Sequence, residues 1–189
     1  MTQKLAACDE EGAAQALAQG YVRYQANQEI NLLVDDCLDY AAKTRNDRLI
    51  RAIAKYFCQI PADSASRFKT KHGAKLVQLT LPTARNDLAE NRTELALAVL
   101  EGLEKLAPKA NYSEVLLELG RAQELTQKDV LARQTWDTII QNGDRSPTVE
   151  MAYYLMILSL RRAKKDAEAK QMQLQFLDRL PGSVWQQAL

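Results

Sequence analysis

Apolar residues recur along this chain at steps of three and four, the spacing that puts them on one face of an α-helix. The clearest case lies between residues 28 and 43, where the recurring residues are Ile30, Leu33, Val34, Cys37, Leu38 and Ala41. Similar spacing predicts further helices at residues 2–19, 95–107, 112–125, 128–142, 148–163 and 165–180. Because no segment alternates apolar and polar residues as a half-buried strand does, the pattern predicts an all-α protein.

Glycine, proline and capping residues predict where these helices begin and end. Gly20 is expected to end the first helix, and Gly73 is expected to separate two helices. Pro82 predicts either a kink or the start of a new helix. Asn91 and Glu94 have the spacing of a capping box, which predicts that a helix begins there.

Two segments in the C-terminal half match each other at a spacing of 37 residues. The first contains Leu119, Gly120, Ala132, Trp136, Ile139 and Ile140. The corresponding positions of the second are Met156, Ile157, Ala169, Gln173, Phe176 and Leu177. Self-similarity at a period of 20–50 residues predicts stacked repeats, which commonly present a binding surface.

These units resemble tetratricopeptide repeats, which place a Leu-Gly pair in the first helix and a small Ala, a bulky residue and a closing Pro in the second. Leu119–Gly120, Ala132, Trp136 and Pro147 fit this pattern. Gln173 departs from it, as does the period of 37 residues rather than 34. The resemblance implies a right-handed α-α superhelix, a solenoid of stacked antiparallel helical hairpins.

We accordingly expect one helical-repeat domain over residues 1–189. Its expected parts are an N-terminal helix (1–27), four hairpin units (28–61, 62–108, 112–147 and 148–181) and a capping or truncated helix (182–189). Gly120 and Ala132 are expected to let the two helices of their hairpin approach closely, with Trp136 filling the wider gap. Cys37 is expected to fill the core of the first hairpin.

Composition narrows the class of function. The 25 Lys and Arg residues balance 24 Asp and Glu residues, whereas a nucleic-acid-binding domain normally carries a basic excess. The three cysteines, Cys8, Cys37 and Cys58, form no CxxC motif, so neither a disulfide framework nor a metal site is expected. No apolar run is long enough to span a bilayer.

The segment Leu5–Cys8 resembles the lipobox of bacterial lipoproteins. A functional box follows a run of about 7–15 apolar residues, and only Met1 to Lys4 precede it in this sequence. A chance match is therefore favoured, and a cytoplasmic location is expected. The alternative is a periplasmic or envelope lipoprotein whose signal segment was trimmed before Cys8.

The resemblance also implies a concave groove lined by the first helices of the hairpins. The residues that it places there are Glu114, Leu117, Arg121, Glu124, Leu125, Met151, Tyr154, Leu158, Arg161 and Arg162. Arginines beside an apolar strip would suit a partner with a carboxylate and apolar anchors. In the alternative interpretation, Tyr154 and Leu158 are buried between hairpins and the arginines are solvated.

Catalytic chemistry finds little support in the sequence. His72 lies in a basic cluster with Arg67, Lys69, Lys71 and Lys75, for which a solvated helix surface is expected. No recognisable nucleophile accompanies this histidine, and no phosphate-binding loop or zinc-protease motif occurs. We therefore expect no enzyme activity, cofactor, metal or small-molecule substrate.

The sequence predicts a scaffold or adaptor that binds a protein or peptide partner in its groove. A second hypothesis is a structural assembly subunit that works through its outer face or ends and buries Trp185. An RNA-binding helical repeat is a third hypothesis, which the balanced charge disfavours.

Overall fold

A computed structural model describes residues 9–142 and 145–185 of the chain. Over these residues the chain forms ten α-helices and no strand, which confirms the all-α prediction. The helices are α1 (Glu10–Tyr24), α2 (Gln28–Thr44), α3 (Asp47–Phe57), α4 (Ala62–Lys71), α5 (Gly73–Ala89), α6 (Thr93–Leu106), α7 (Lys109–Leu125), α8 (Asp129–Gln141), α9 (Pro147–Arg162) and α10 (Asp166–Arg179). They belong to two compact units, Met1–Val115 and Leu116–Leu189, and the boundary falls within α7.

The helices predicted after residue 112 agree closely with α7 to α10, and the predicted break at Gly73 separates α4 from α5. The prediction at Gly20 was wrong, because this residue lies inside α1. Pro82 lies inside α5, which continues through it, so the alternative of a new helix starting there was wrong. Both helices bury residues on each side of these positions, so tertiary packing overrides the local preference. Residues 2–8 of the predicted first helix lie outside the described part of the chain.

The predicted capping box at Asn91 was also wrong. Asn91 has a left-handed backbone, with φ at 59°, and its N–H donates to the Leu88 carbonyl at 3.2 Å. It therefore closes α5, a role for which Asn is suited because its short side chain tolerates positive φ. The helix cap before Thr93 is Arg92, whose side chain makes no capping hydrogen bond.

In the first unit, α3 packs against both α1 and α6 and runs in the same direction as both. At the start of α1 and α3, Asn46 Nδ2 donates to Glu10 Oε1 at 3.3 Å. Near their ends, the rings of Tyr21 and Phe57 lie 5.9 Å apart. Helix α2 packs against α5, while α3 packs more extensively against α1 than against α2.

The second unit contains two antiparallel hairpins, α7–α8 and α9–α10. A Cβ atom placed on Gly120 would lie within 2.7 Å of Trp136 Cδ1, so the fully buried indole lies directly against this glycine. The indole Nε1 also donates to the Leu117 carbonyl at 3.4 Å. The expectation that the two helices pack at Gly120 without a side chain between them was wrong, because the Trp136 ring fills that space.

Helices α8 and α9 are also antiparallel, so α7 and α9 run in the same direction. Arg133 Nη1 donates to Ser159 Oγ at 3.2 Å between α8 and α9. The C-terminal ends of α8 and α10 are joined by Arg179 Nη1, which donates to the Ile140 carbonyl at 2.8 Å. The corresponding ends of the two hairpins therefore lie together.

Candidate binding surfaces

The C-terminal ends of α7 and α9 meet through an ion pair. Arg162 Nη2 lies 2.9 Å from Glu124 Oε2, and the arginine side chain remains 60% exposed. Beside the pair is a polar cleft of about 160 Å³ lined by Glu124, Asp129, Ser159, Arg162 and Ala163. Of the predicted groove residues, Glu124 and Arg162 are the two that this direct contact brings together.

The other predicted groove residues make contacts of their own. Arg121 Nη1 pairs with Glu118 Oε2 at 2.9 Å on the same helix, and Arg161 Nη2 donates to Gln173 Oε1 on α10 at 3.1 Å. The ring of Tyr154 lies 4.9 Å from that of Trp185.

The burial of the predicted residues differs along the surface. Leu117, Met151, Tyr154 and Leu158 are half-buried, so they remain partly accessible, and Leu125 is exposed. Glu114 is exposed but belongs to the first unit, whereas the rest of the predicted set belongs to the second.

A much larger groove lies in the first unit and was missed by sequence reasoning. It has a volume of about 1040 Å³ and lies over α3 between α1 and α6. We call it the α3 groove. Its lining includes Glu10, Glu11, Arg48, Arg51, Ala52, Lys55, Cys58, Gln59, Leu95, Ala98, Val99, Glu101, Gly102, Glu104 and Lys105.

The middle of the α3 groove is fixed by two sets of ionic contacts. Lys55 Nζ lies 3.1 Å from Glu11 Oε2, which also accepts a hydrogen bond from Tyr56 at 3.1 Å. The hydrogen bonds from Lys55 and Tyr56 lower the pKa of the exposed Glu11 carboxyl. Arg51 reaches from the groove to Asp87 on α5, which places this arginine in the packed interior as well as in the lining.

Asp87 is a fully buried carboxylate with two arginine partners. Arg51 donates through Nε and Nη2 at 2.9 and 2.6 Å, and Arg92 donates through the same two nitrogens at 2.8 and 2.6 Å. Burial by itself would raise the pKa of Asp87, but the hydrogen bonds from both arginines outweigh it and lower that pKa. This cluster ties α3, α5 and the start of α6 together.

A groove of about 450 Å³ in the second unit is formed mainly by α8 and α10. Residues Met156 and Leu160 of α9 and Met172 of α10 supply much of its apolar lining. Lys165 and Glu168 form an ion pair at 2.9 Å on one side of it. This groove, like the α3 groove, is lined chiefly by helices other than α7 and the predicted groove face of α9.

The basic cluster around His72 is only partly a solvated surface. His72 is 2% exposed, which corrects that prediction for this residue. Its Nε2 donates to Asn31 Oδ1 at 3.0 Å, because the Asn31 amide nitrogen donates to the carbonyls of Gln25 and Asn27. Its Nδ1 lies 3.0 Å from Asp35 Oδ1. Burial lowers the pKa of His72, although the hydrogen bond with Asp35 opposes that effect.

The two cysteines within the described residues are unsuited to a nucleophilic role. Burial raises the pKa of the Cys37 thiol to about 11 and that of Cys58 to about 12, so both are protonated near neutral pH. Among residues 9–142 and 145–185, no group of His, Cys, Asp and Glu side chains is arranged to hold a metal ion. In the same ranges, no helix has the length and apolar character that a membrane span requires.

No protein-family model matches the sequence, and no curated protein or solved structure is significantly similar to it.

One signal in the sequence pointed to the α3 groove. Leu95 and Ala98 lie three residues apart on α6, outside the buried set Ala96, Leu97, Leu100 and Leu103. Apolar residues beyond the buried face of a helix mark a second contact surface. The lining from α1 and α3 could not be found in this way, because it is charged and distant in sequence.

Proposed function

We propose that the protein is a non-catalytic helical-repeat adaptor that binds a peptide or helix of a partner protein on the surface formed by α7 and α9. The observation that supports this proposal is the side-by-side arrangement of these two helices, joined at their ends by Glu124 and Arg162. Parallel first helices from successive hairpins are the arrangement that the tetratricopeptide resemblance implies.

The sequence separation of the two ion-pair residues indicates that they occupy nearly equivalent positions on α7 and α9. Glu124 and Arg162 are 38 residues apart, close to the repeat of 37. With the repeat of 37 residues, Leu117 corresponds to Tyr154, and Arg121 corresponds to Leu158. A partner segment lying across α7 and α9 would meet half-buried apolar side chains next to exposed guanidinium groups. Such a surface suits a segment with apolar anchors and a carboxylate.

The test is a double variant, Arg161→Ala/Arg162→Ala, compared with the native chain. Both arginines are exposed, and each of their internal contacts is worth at most about 1 kcal/mol, so the variant is expected to fold. A partner captured from a native lysate with the native chain would be purified and its affinity measured. We expect the variant to bind that partner about tenfold more weakly.

The matched control is Lys165→Ala/Lys170→Ala, which removes the same charge from exposed positions at the start of α10. This control is expected to bind with native affinity. If both double variants bind the partner equally weakly, the loss of affinity is due to net charge. If both bind with native affinity, the proposed surface is contradicted.

A structural assembly role is the second candidate function, because the C-terminal part of the second unit exposes large apolar side chains. Leu174 is 59% exposed, Leu177 is 43% exposed and Val184 is 71% exposed. Sedimentation equilibrium of the full chain tests this role. An assembly whose mass falls to that of the monomer in Leu174→Glu/Leu177→Glu would support it, and a native chain that remains monomeric at all concentrations would exclude it.

A further inference from the structure

The α3 groove is lined by residues of the first unit, and its ligand is proposed independently of the surface on α7 and α9. Each of the four carboxylates in its lining already has a contact within the chain. Asn46 donates to Glu10, Lys55 to Glu11 and Tyr112 to Glu104, and Glu101 has a contact as well. The acidic groups of the groove are therefore engaged by the protein itself.

The cations of the α3 groove are not all engaged. Arg51 binds Asp87 and Lys55 binds Glu11. The side chains of Arg48 and Lys105, by contrast, make no hydrogen bond or ion pair with any residue that the structure describes. The lining holds four carboxylates and four cations, so its formal charge is balanced, and the side chains of Arg48 and Lys105 are the cations left to pair with a carboxylate from a ligand.

Alongside Arg51 and the Lys55–Glu11 pair, the groove between these two cations is also lined with small or apolar side chains. Leu95 is 50% exposed and Ala98 is exposed, while Ala52 and Val99 lie buried beneath them. A Cβ atom on Gly102 would lie within 2.7 Å of Cys58 Cβ, so α3 and α6 approach closely at this end. Small side chains on the floor leave depth for bulky apolar side chains from a ligand.

The dimensions of the groove suit a helix. Arg48 lies near the start of α3 and Lys105 near the end of α6, and Cys58 is level with Gly102. Counting from Arg48 to Cys58 and then from Gly102 to Lys105 gives 13 residues of helix, about 20 Å at the helical rise of 1.5 Å per residue. A ligand helix of about 14 residues would span that length.

We propose that the α3 groove binds an amphipathic helix of a partner protein, with carboxylates near both ends and bulky apolar residues between them. The partner helix lies over α3 and packs between α1 and α6. Its terminal carboxylates pair with Arg48 and Lys105, and its apolar side chains cover Leu95 and Ala98.

The probe is a displayed library of helical 14-residue peptides, selected against the full chain. Apolar residues are fixed on one face, and the positions flanking that face near each end vary among Glu, Lys and Gln. We expect Glu to be enriched at both ends. The selected peptide, measured by fluorescence anisotropy, should bind Arg48→Glu and Lys105→Glu each about tenfold more weakly than the native chain.

A charge exchange makes the test specific. The double variant Arg48→Glu/Lys105→Glu should recover affinity for the selected peptide when its terminal Glu residues are replaced by Lys. Lys170→Glu, an exposed reversal on α10, serves as the control and should bind the original peptide with native affinity. Thermal unfolding followed by circular dichroism checks that each variant is folded.

Three results would overturn the proposal. One is a selection that yields no binding peptide or favours Lys or Gln at the ends. Another is a selected peptide that binds the double variant as tightly as it binds the native chain. The third is a native dimer that dissociates in the double variant, since a second copy of the chain would then occupy the groove. None of these results bears on the Arg161→Ala/Arg162→Ala test of the proposed function.

Discussion

Replacing Trp136 by alanine is expected to lower the free energy of unfolding of the second unit by about 4 kcal/mol. The side chain is fully buried, lies against Gly120 and donates its indole N–H to the Leu117 carbonyl. Its removal leaves a cavity between α7 and α8 that the surrounding helices can fill only in part. Urea unfolding followed by circular dichroism measures the change. A loss below about 1 kcal/mol would contradict this packing.

The effect of Gly120→Ala on the free energy of unfolding should change sign when Trp136 is replaced by alanine. In the native chain the added methyl group overlaps the indole ring, so we expect a loss of about 1–3 kcal/mol. In the Trp136→Ala background the overlap is gone, and the higher helix propensity of alanine should stabilise the chain by about 1 kcal/mol.

Gly20→Ala is the matched control for the propensity effect. Gly20 also lies inside a helix, but its nearest neighbour is the flexible end of the Ile30 side chain, at 3.3 Å. We expect this variant to be as stable as the native chain or more stable, by up to about 1 kcal/mol. Destabilisation by Gly120→Ala in both backgrounds would show that the indole is not what excludes a side chain there.

Replacing Asp87 by alanine is expected to lower the free energy of unfolding of the first unit by about 3 kcal/mol. Loss of one partner from a buried ion pair costs about 3–5 kcal/mol, because the remaining charge is left uncompensated. The lower end applies because Arg51 and Arg92 are 22% and 40% exposed and can regain water. Glu90→Ala, which removes the exposed carboxylate that also contacts Arg92, should cost under 1 kcal/mol.

The loss of stability at acidic pH should become smaller when Asp87 is replaced by asparagine. The pKa of Asp87 is lower in the folded chain than its unfolded value of about 4, so the unfolded chain binds more protons as the pH falls below that value. The native chain should therefore lose the contribution of Asp87 as the pH falls through this range. Asp87→Asn should show a flatter pH dependence there, and an unchanged slope would contradict the proposed role of the arginines.

Local pattern was enough to predict much of the helical structure. The apolar spacing from Tyr112 to Leu180 predicted α7 to α10 closely, because each helix buries one face. The pattern was less reliable where a residue has two competing uses. Gly20 and Pro82 usually end helices, yet packing on both sides keeps their helices continuous, and Asn91 closes one helix instead of opening the next.

The candidate sites depend on contacts between distant parts of the chain. The sequence predicted that His72 lies on a basic, solvated surface. In the structure it is held in the interior by Asn31 and Asp35, which are about 40 residues away in sequence. Arg48 and Lys105 are ordinary helix charges in the sequence and meet one groove only because α3 packs against α6. The 37-residue repeat, by contrast, placed Glu124 and Arg162 in corresponding helices, and the two side chains are in contact.

The most direct test of the adaptor function is hydrogen–deuterium exchange of the full chain with and without its purified binding partner. Binding across α7 and α9 predicts slower exchange in residues 117–124 and 154–162, with this slowing lost in Arg161→Ala/Arg162→Ala. Slower exchange that omits these two segments would contradict the account.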